Sequence, residues 1–297
     1  MKKLTIIFLI MALFTPCSFA ESAVSGAAPL PPSDVNGVFD IQSTTSGAAS
    51  VTVAALDVKP EAVSVGKNME IVATSKQEED AQLPYLIDYS YPQITGDNLS
   101  ASAQKFNQLV QGMVDKSVQQ FKNYVKADMP HMQTLPDSLK HNTFQLNYTV
   151  DVLKPAKQTL ISVRLTIEGM QAGRAHPYHT HQVLNFDLNT GKELALKDLF
   201  KPRVNYLNVF SKYASESLNK KLQDKWMIKE GTAPLAKNYE KWNLKKQGIL
   251  MTFEEYQVAP YASGPQEIEI PYGVIKNLIA LNSPIAVCVK ELGGCVG

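Results

Sequence analysis

The sequence predicts an α+β protein in which an antiparallel sheet is packed by one long helix and a second helical region. Three observations carry that prediction. Runs of alternating apolar and polar residues recur along the 297-residue chain, the signature of half-buried strands. Only two long stretches place apolar residues at three- and four-residue steps, as an amphipathic helix requires. The order of the signals is β-β-α, then a β run, then α-β-β-α, without the strict strand–helix alternation of a parallel sheet.

The chain opens with Lys2 and Lys3, an apolar run from Leu4 to Phe14, and Ser18-Phe19-Ala20. A basic start, a short apolar core and a small-x-small ending read as a secretory signal peptide over residues 1–20, cleaved after Ala20. The run is about half the length that spans a bilayer, and no later segment is apolar enough for a membrane helix. Cys17 raises lipidation as an alternative, against which Pro16 stands where a lipobox has a small residue. Residues 21–66, rich in Ala, Ser, Gly and Pro, read as a flexible leader, with Ala49–Val58 as one candidate short strand. A first part is expected over 67–135 and a second over 136–297, in a periplasmic or secreted protein.

The first part begins with two alternating segments, "NMEIVATS" and "PYLIDYSYPQI", separated by the acidic "KQEEDAQ". Glu78, Glu79 and Asp80 there read as a solvated turn. A helix follows, capped by Asp97 or Ser100, with Leu99, Phe106, Val110, Met113, Val114, Phe121 and Val125 forming its apolar stripe and Pro130 marking its end. In the second part "TFQLNYTVDVL" and "TLISVRLTIEGM" form a hairpin across "KPAK". A third strand, "HQVLNFDLNTGKELAL", carries the turn Asn189-Thr190-Gly191. After "LKDLF" the spacing of Leu207, Phe210, Tyr213, Leu218 and Leu222 predicts a helical region over Val204–Trp226. A less regular stretch holding Trp242 precedes the strand "GILMTF". Pro260–Pro265 then bend the chain into "QEIEI", with Ile268 and Ile270 inward and Glu267 and Glu269 outward. Pro271 ends that strand, and Tyr272, Ile275 and Leu278 start a short helical stripe.

Charge and cysteine content narrow the function classes. The chain holds 29 basic and 28 acidic residues, and loss of Lys2 and Lys3 turns its formal balance to −1. That is no field for nucleic acid, so electrostatic recognition must be local. Cys288 and Cys295 remain after the leader, separated by a stretch ending in Gly293-Gly294. In an oxidising compartment such a pair reads as a disulfide rather than a metal or redox pair, because the spacing is not C-x-x-C.

"YSYPQITG" before the long helix, "RAHPYHTHQVLNFDLNTGKELALKDLF" and "FEEYQVAPYASGPQEIEIPYGVIK" carry a family resemblance over roughly residues 67–279. They resemble a two-part extracytoplasmic bacterial family of unknown function. It includes the sensor part of lysozyme-sensing anti-sigma factors, and its first part also occurs beside polysaccharide deacetylase domains. The resemblance implies an envelope-facing α+β module whose best-understood activity is lysozyme binding, not catalysis. The chain departs from the sensors in lacking a transmembrane helix and a cytoplasmic sigma-binding segment.

Among the histidines, His131, His141, His176, His179 and His181, three lie in "HPYHTH". On a strand His179 and His181 share one face and are candidate ligands for Zn²⁺ given a third donor. The alternative is that they are surface strand residues and His176 structural. Within the resemblance only His176 has a counterpart. The chain shows no G-x-S-x-G elbow, H-E-x-x-H pair, phosphate loop or dinucleotide fingerprint. A carboxylate pair such as Glu254 and Glu269 remains conceivable for a glycosidase, but surface glutamates beside a turn are the commoner outcome. Binding asks less of the sequence. "PYASGP" is a rigid bend flanked by Tyr256 and Tyr261, a residue type offering large contact area at low conformational cost. Glu254, Glu255, Glu267 and Glu269 surround it, and a basic partner would use both features; alternatively both tyrosines pack beneath the turn. The expected function is an envelope binding module for a lysozyme-like muramidase or peptidoglycan, with no required cofactor. The alternative is an envelope polysaccharide hydrolase or deacetylase accessory, possible with zinc.

Overall fold

The structure is a computed structural model that describes residues 62–80, 82–290 and Cys295. The expected signal peptide, the strand at Ala49–Val58 and most of the leader lie outside the described residues. Two sheets form. The larger holds β1 (Val63–Gly66), β2 (Met69–Asp80), β3 (Tyr85–Gly96), β4 (Asn142–Leu153), β5 (Leu160–Gly169), β6 (Tyr178–Asp187) and β7 (Lys192–Glu193), in that spatial order. The smaller has the order β10 (Gln266–Pro271), β9 (Gly248–Phe253), β8 (Trp242–Leu244). Neighbours pair antiparallel except β3 and β4, which run parallel from Tyr85↔Asn142 to Tyr89↔Leu146. That exception follows from the long helix between them, since a parallel pair needs a crossover.

The crossover is α1 (Ala101–Met132). Ser100 caps it rather than Asp97: the Ala103 N–H donates to Ser100 Oγ at 3.2 Å. Pro130 lies just inside the helix, which stops two residues later. The predicted stripe is the buried one. Phe106, Val110, Val114, Phe121 and Val125 face the sheet, each contributing about 1.5–3 kcal/mol on burial. Phe106 meets Phe186 and Phe121 meets Phe144 at ring separations of 5.7 and 5.3 Å.

Two expectations need correction here. The acidic run at Glu78–Asp80 is not a turn but the end of β2, paired residue by residue with Tyr85–Ile87. The charges are tolerated because Glu78 accepts a hydrogen bond from the Tyr85 hydroxyl and pairs with Lys122. Asp80 Oδ1 accepts the Gln82 and Leu83 N–H groups and so makes the actual turn. Ordered strand also begins earlier than Lys67, because β1 occupies the end of the expected leader and pairs with β2.

A second core gathers α2 (Tyr206–Leu218), α3 (Lys225–Gly231), α4 (Tyr272–Ile275) and the small sheet around Phe210, Ile228, Tyr239, Phe253 and Ile270. The expected helical region over Val204–Trp226 is thus split. Asn205 caps α2 and Asp224 caps α3 through side-chain oxygens, and Trp226 is 71 % exposed. Cys288 and Cys295 form a disulfide buried in this core. The irregular stretch at Trp242 is a strand, β8, which adds a third strand to the β9–β10 pair.

A buried polar staple joins the sheets. Ser162 Oγ of β5 donates to Asn185 Oδ1 of β6 at 2.7 Å and accepts from Asn243 Nδ2 and the Leu244 N–H of β8. Asn185 Nδ2 donates in turn to the Trp242 carbonyl at 2.9 Å. Strand β5 is consequently covered on both sides, with Ile161, Val163 and Leu165 in the α1 core and Leu160 in the second.

Candidate functional site

Seven of the residues picked from the sequence meet at one corner, where the start of β6 faces the turn that follows β9. Alternation along β6 sends His179 and His181 toward that turn, away from α1. His181 is buried, and its ring Nδ1 lies 3.2 Å from Glu254 Oε2 while its backbone N–H donates to Glu254 Oε1 at 2.8 Å. Burial alone would push the Glu254 carboxyl up. The imidazole and backbone N–H of His181, with the charge of Lys241, outweigh it and hold the group below its ordinary 4.5. His179 is held from both sides, Nδ1 at 2.6 Å from Glu255 Oε1 and Nε2 at 3.3 Å from Glu168 Oε2. Glu168 stands directly across from His179 in the β5–β6 register; sequence reasoning missed it because that partner is set by pairing.

The turn itself is clamped. The Gln257 N–H donates to the Glu254 carbonyl at 3.0 Å, and Gln257 Oε1 accepts the Glu254 N–H at 3.1 Å. Gln257 Nε2 bonds the carbonyls of Gly231 and Asn238. Gly231 must be glycine for this approach, since a Cβ there would lie 1.9 Å from the Gln257 carbonyl oxygen. Between the clamped residues Tyr256 adopts φ +62° and is 60 % exposed. Tyr261 does the opposite work. Its hydroxyl donates to the Pro177 carbonyl at 2.7 Å and its ring stacks on His176 at 3.9 Å. Tyr261 therefore ties the bend to the "AHP" segment, and Tyr256, 6.0 Å away ring to ring, is presented to solvent.

The remaining picks lie elsewhere. Glu267 pairs with Arg164 of β5. Glu269 is exposed on β10 opposite Leu250, about 13 Å along the ladder from Glu254 at ~3.3 Å per residue. With the Glu254 carboxylate turned to His181, the two do not form a glycosidase pair. Among the described residues no group of three or more His, Cys, Asp or Glu has a metal-holding arrangement. The ring nitrogens of His179 and His181 face carboxylates of different glutamates instead of one common point. Three of the four surrounding glutamates are spent internally, Glu255 on His179, Glu254 on His181 and Glu267 on Arg164, and Glu269 is left exposed.

Comparison with known proteins bears on this corner. Residues 197–273 match the family model described as "Protein of unknown function (DUF3298)". That stretch, about a quarter of the chain, is similar to a DUF3298 domain. That region contributes Glu254–Tyr261 to the corner, while His176, His179 and His181 come from outside it. The chain is 28 % identical over 194 residues to the peptidoglycan-N-acetylmuramic acid deacetylase PdaC of Bacillus subtilis, covering 64 % of this chain and 38 % of that protein. It thus spans under half of the deacetylase. It is 24 % identical over 254 residues to the anti-sigma-V factor RsiV of the same organism, covering 80 % of this chain and 82 % of RsiV. A solved DUF3298 family member from Bacteroides fragilis superposes with a TM-score of 0.54 at 18 % identity, over 74 % of this chain and 98 % of that one. That likeness shows a shared fold.

Proposed function

We propose that this protein is an envelope-facing binding module outside the cytoplasmic membrane. Its corner around Tyr256 captures a protein partner of the lysozyme-like muramidase class. The observation that carries the reading is Tyr256 itself, an aromatic ring exposed to solvent in a left-handed conformation on a clamped turn. A bulky residue held there at a cost in stability is a feature of binding and switch sites. A rigid tyrosine is also a common interface anchor. The likeness to RsiV over most of both chains, with the sequence resemblance to lysozyme-sensing sensors, supplies the partner class. The disulfide supports an oxidising compartment. Among the described residues no helix is long and apolar enough to cross a membrane.

Calorimetric titration with hen egg-white lysozyme tests the proposal. Expected is binding at roughly tens of micromolar or tighter, weakened at least about tenfold by Tyr256→Ala, equal to ~1.4 kcal/mol. No heat at those concentrations overturns it, as does full affinity in the variant. A peptidoglycan fragment that binds where lysozyme does not would move the reading to the glycan alternative.

A further inference from the structure

The other face of β6 changes character along its length. Leu184 and Phe186 are buried in the core beneath α1. Tyr178, Thr180 and Gln182 continue the same two-residue step on the same side, yet they are polar and half-buried. Helix α1 answers with Ser117, Gln120 and Tyr124 at helical spacing, and Gln171 joins from the segment after β5. Between them lies a cavity of about 240 Å³ floored by Phe121, Phe144 and Ile167.

We propose that this cavity binds one unit of a neutral N-acetylated sugar. Its size is just below the ~300–1,000 Å³ typical of sites for drug-sized ligands, which suits a single ring with a substituent. No charged side chain lines it, so it offers a phosphate, carboxylate or metal ion no counter-charge. What lines it instead are amides and phenols, which offer donors and acceptors together, over an apolar floor that suits an acetyl methyl. Gln182 is oriented for this. Its Nε2 donates to Ser117 Oγ at 2.7 Å, and that hydroxyl donates to the Met113 carbonyl at 3.0 Å. Among the described residues Gln182 Oε1, the Tyr178 hydroxyl and the amides of Gln120 and Gln171 have no hydrogen-bond partner. Burial pushes the Tyr178 phenol up to about 12, so it remains an O–H donor.

The inference does not rest on the partner proposed for the Tyr256 corner, and the two fail separately. Titration of the whole protein with tri-N-acetylchitotriose and with maltotriose decides it. The N-acetylated trisaccharide is expected to bind at roughly millimolar or better. Gln171→Ala and Tyr178→Phe should each weaken it at least about threefold, while Tyr256→Ala leaves it unchanged. Circular dichroism confirms that each variant is folded, and Gln171, half-buried on the segment after β5, keeps the test alive if the Tyr178 variant is not. No binding of the N-acetylated sugar at ~10 mM, equal binding of maltotriose, or affinity unaltered by both variants overturns the proposal.

Discussion

Tyr256 and Glu254, two residues apart, show opposite trades between stability and presentation. The left-handed backbone of Tyr256 costs an L-residue about 1–2 kcal/mol, and its exposed ring recovers little of it through packing. Glu254 is the reverse case, a carboxylate whose hydrogen bonds fix the corner. Its pKa is lowered in the folded protein. Its contribution is therefore fully present above its unfolded value and is lost as pH falls through the folded one. Glu254→Gln should lower unfolding stability by about 1.5–3 kcal/mol near neutral pH, the range for hydrogen bonds to a charged group. That deficit should shrink steadily below pH 4.5. Urea midpoints for both proteins between pH 7 and pH 3 check this; a deficit independent of pH would contradict it.

Between elements, the Ser162–Asn185–Asn243 staple is a buried polar link between the two sheets. Ser162→Ala removes one hydroxyl that serves three partners, leaving Asn243 and Leu244 with fewer acceptors inside the protein. Because Asn243 keeps the Val163 carbonyl and the Leu244 N–H keeps Asn185 Oδ1, the expected loss is about 0.5–1.5 kcal/mol per bond removed, read from denaturant midpoints. Nothing in the sequence marks these residues, since Ser162 and Asn185 sit where an outward strand position is ordinarily polar. The contrast with α1 is instructive. Its stripe from Phe106 to Val125 was legible because helical spacing records which face is buried. The end of β2 was not, because three consecutive acidic residues look solvated until Tyr85 and Lys122 are placed beside them. Strand β8 was missed for a different reason: three residues, Trp242–Leu244, are too few to show a period. The polar half of β6 was read only as a histidine pair, since its other face acquires meaning when α1 lies over it.

For the whole molecule, the sequence led to one sheet where there are two, because pairing between segments dozens of residues apart leaves no local trace. "HPYHTH" and "PYASGP" were each singled out, yet His179 and Glu255 meet across 76 positions. The two cores share β5 as a common wall, which couples them. Both tryptophans, Trp226 and Trp242, lie on the second core's side, whereas far-UV circular dichroism reports all elements. The two signals should give coincident unfolding curves, as a single cooperative transition requires. Replacing Cys288 and Cys295 together by Ser should shift that joint transition by about 2–3 kcal/mol, the chain-entropy value for so short a loop. Separation of the two curves would show that the cores unfold independently. The Glu254 contact has one more effect at this scale. Strand β6 pairs with β7 only at Phe186 and Asp187, so its earlier residues form a sheet edge on which another molecule could add a strand. A carboxylate fixed on the His181 N–H occupies that edge with charge, the kind of guard that keeps edge strands from templating self-association. The corner that presents Tyr256 to a partner thereby also discourages a second copy of the chain from pairing with β6.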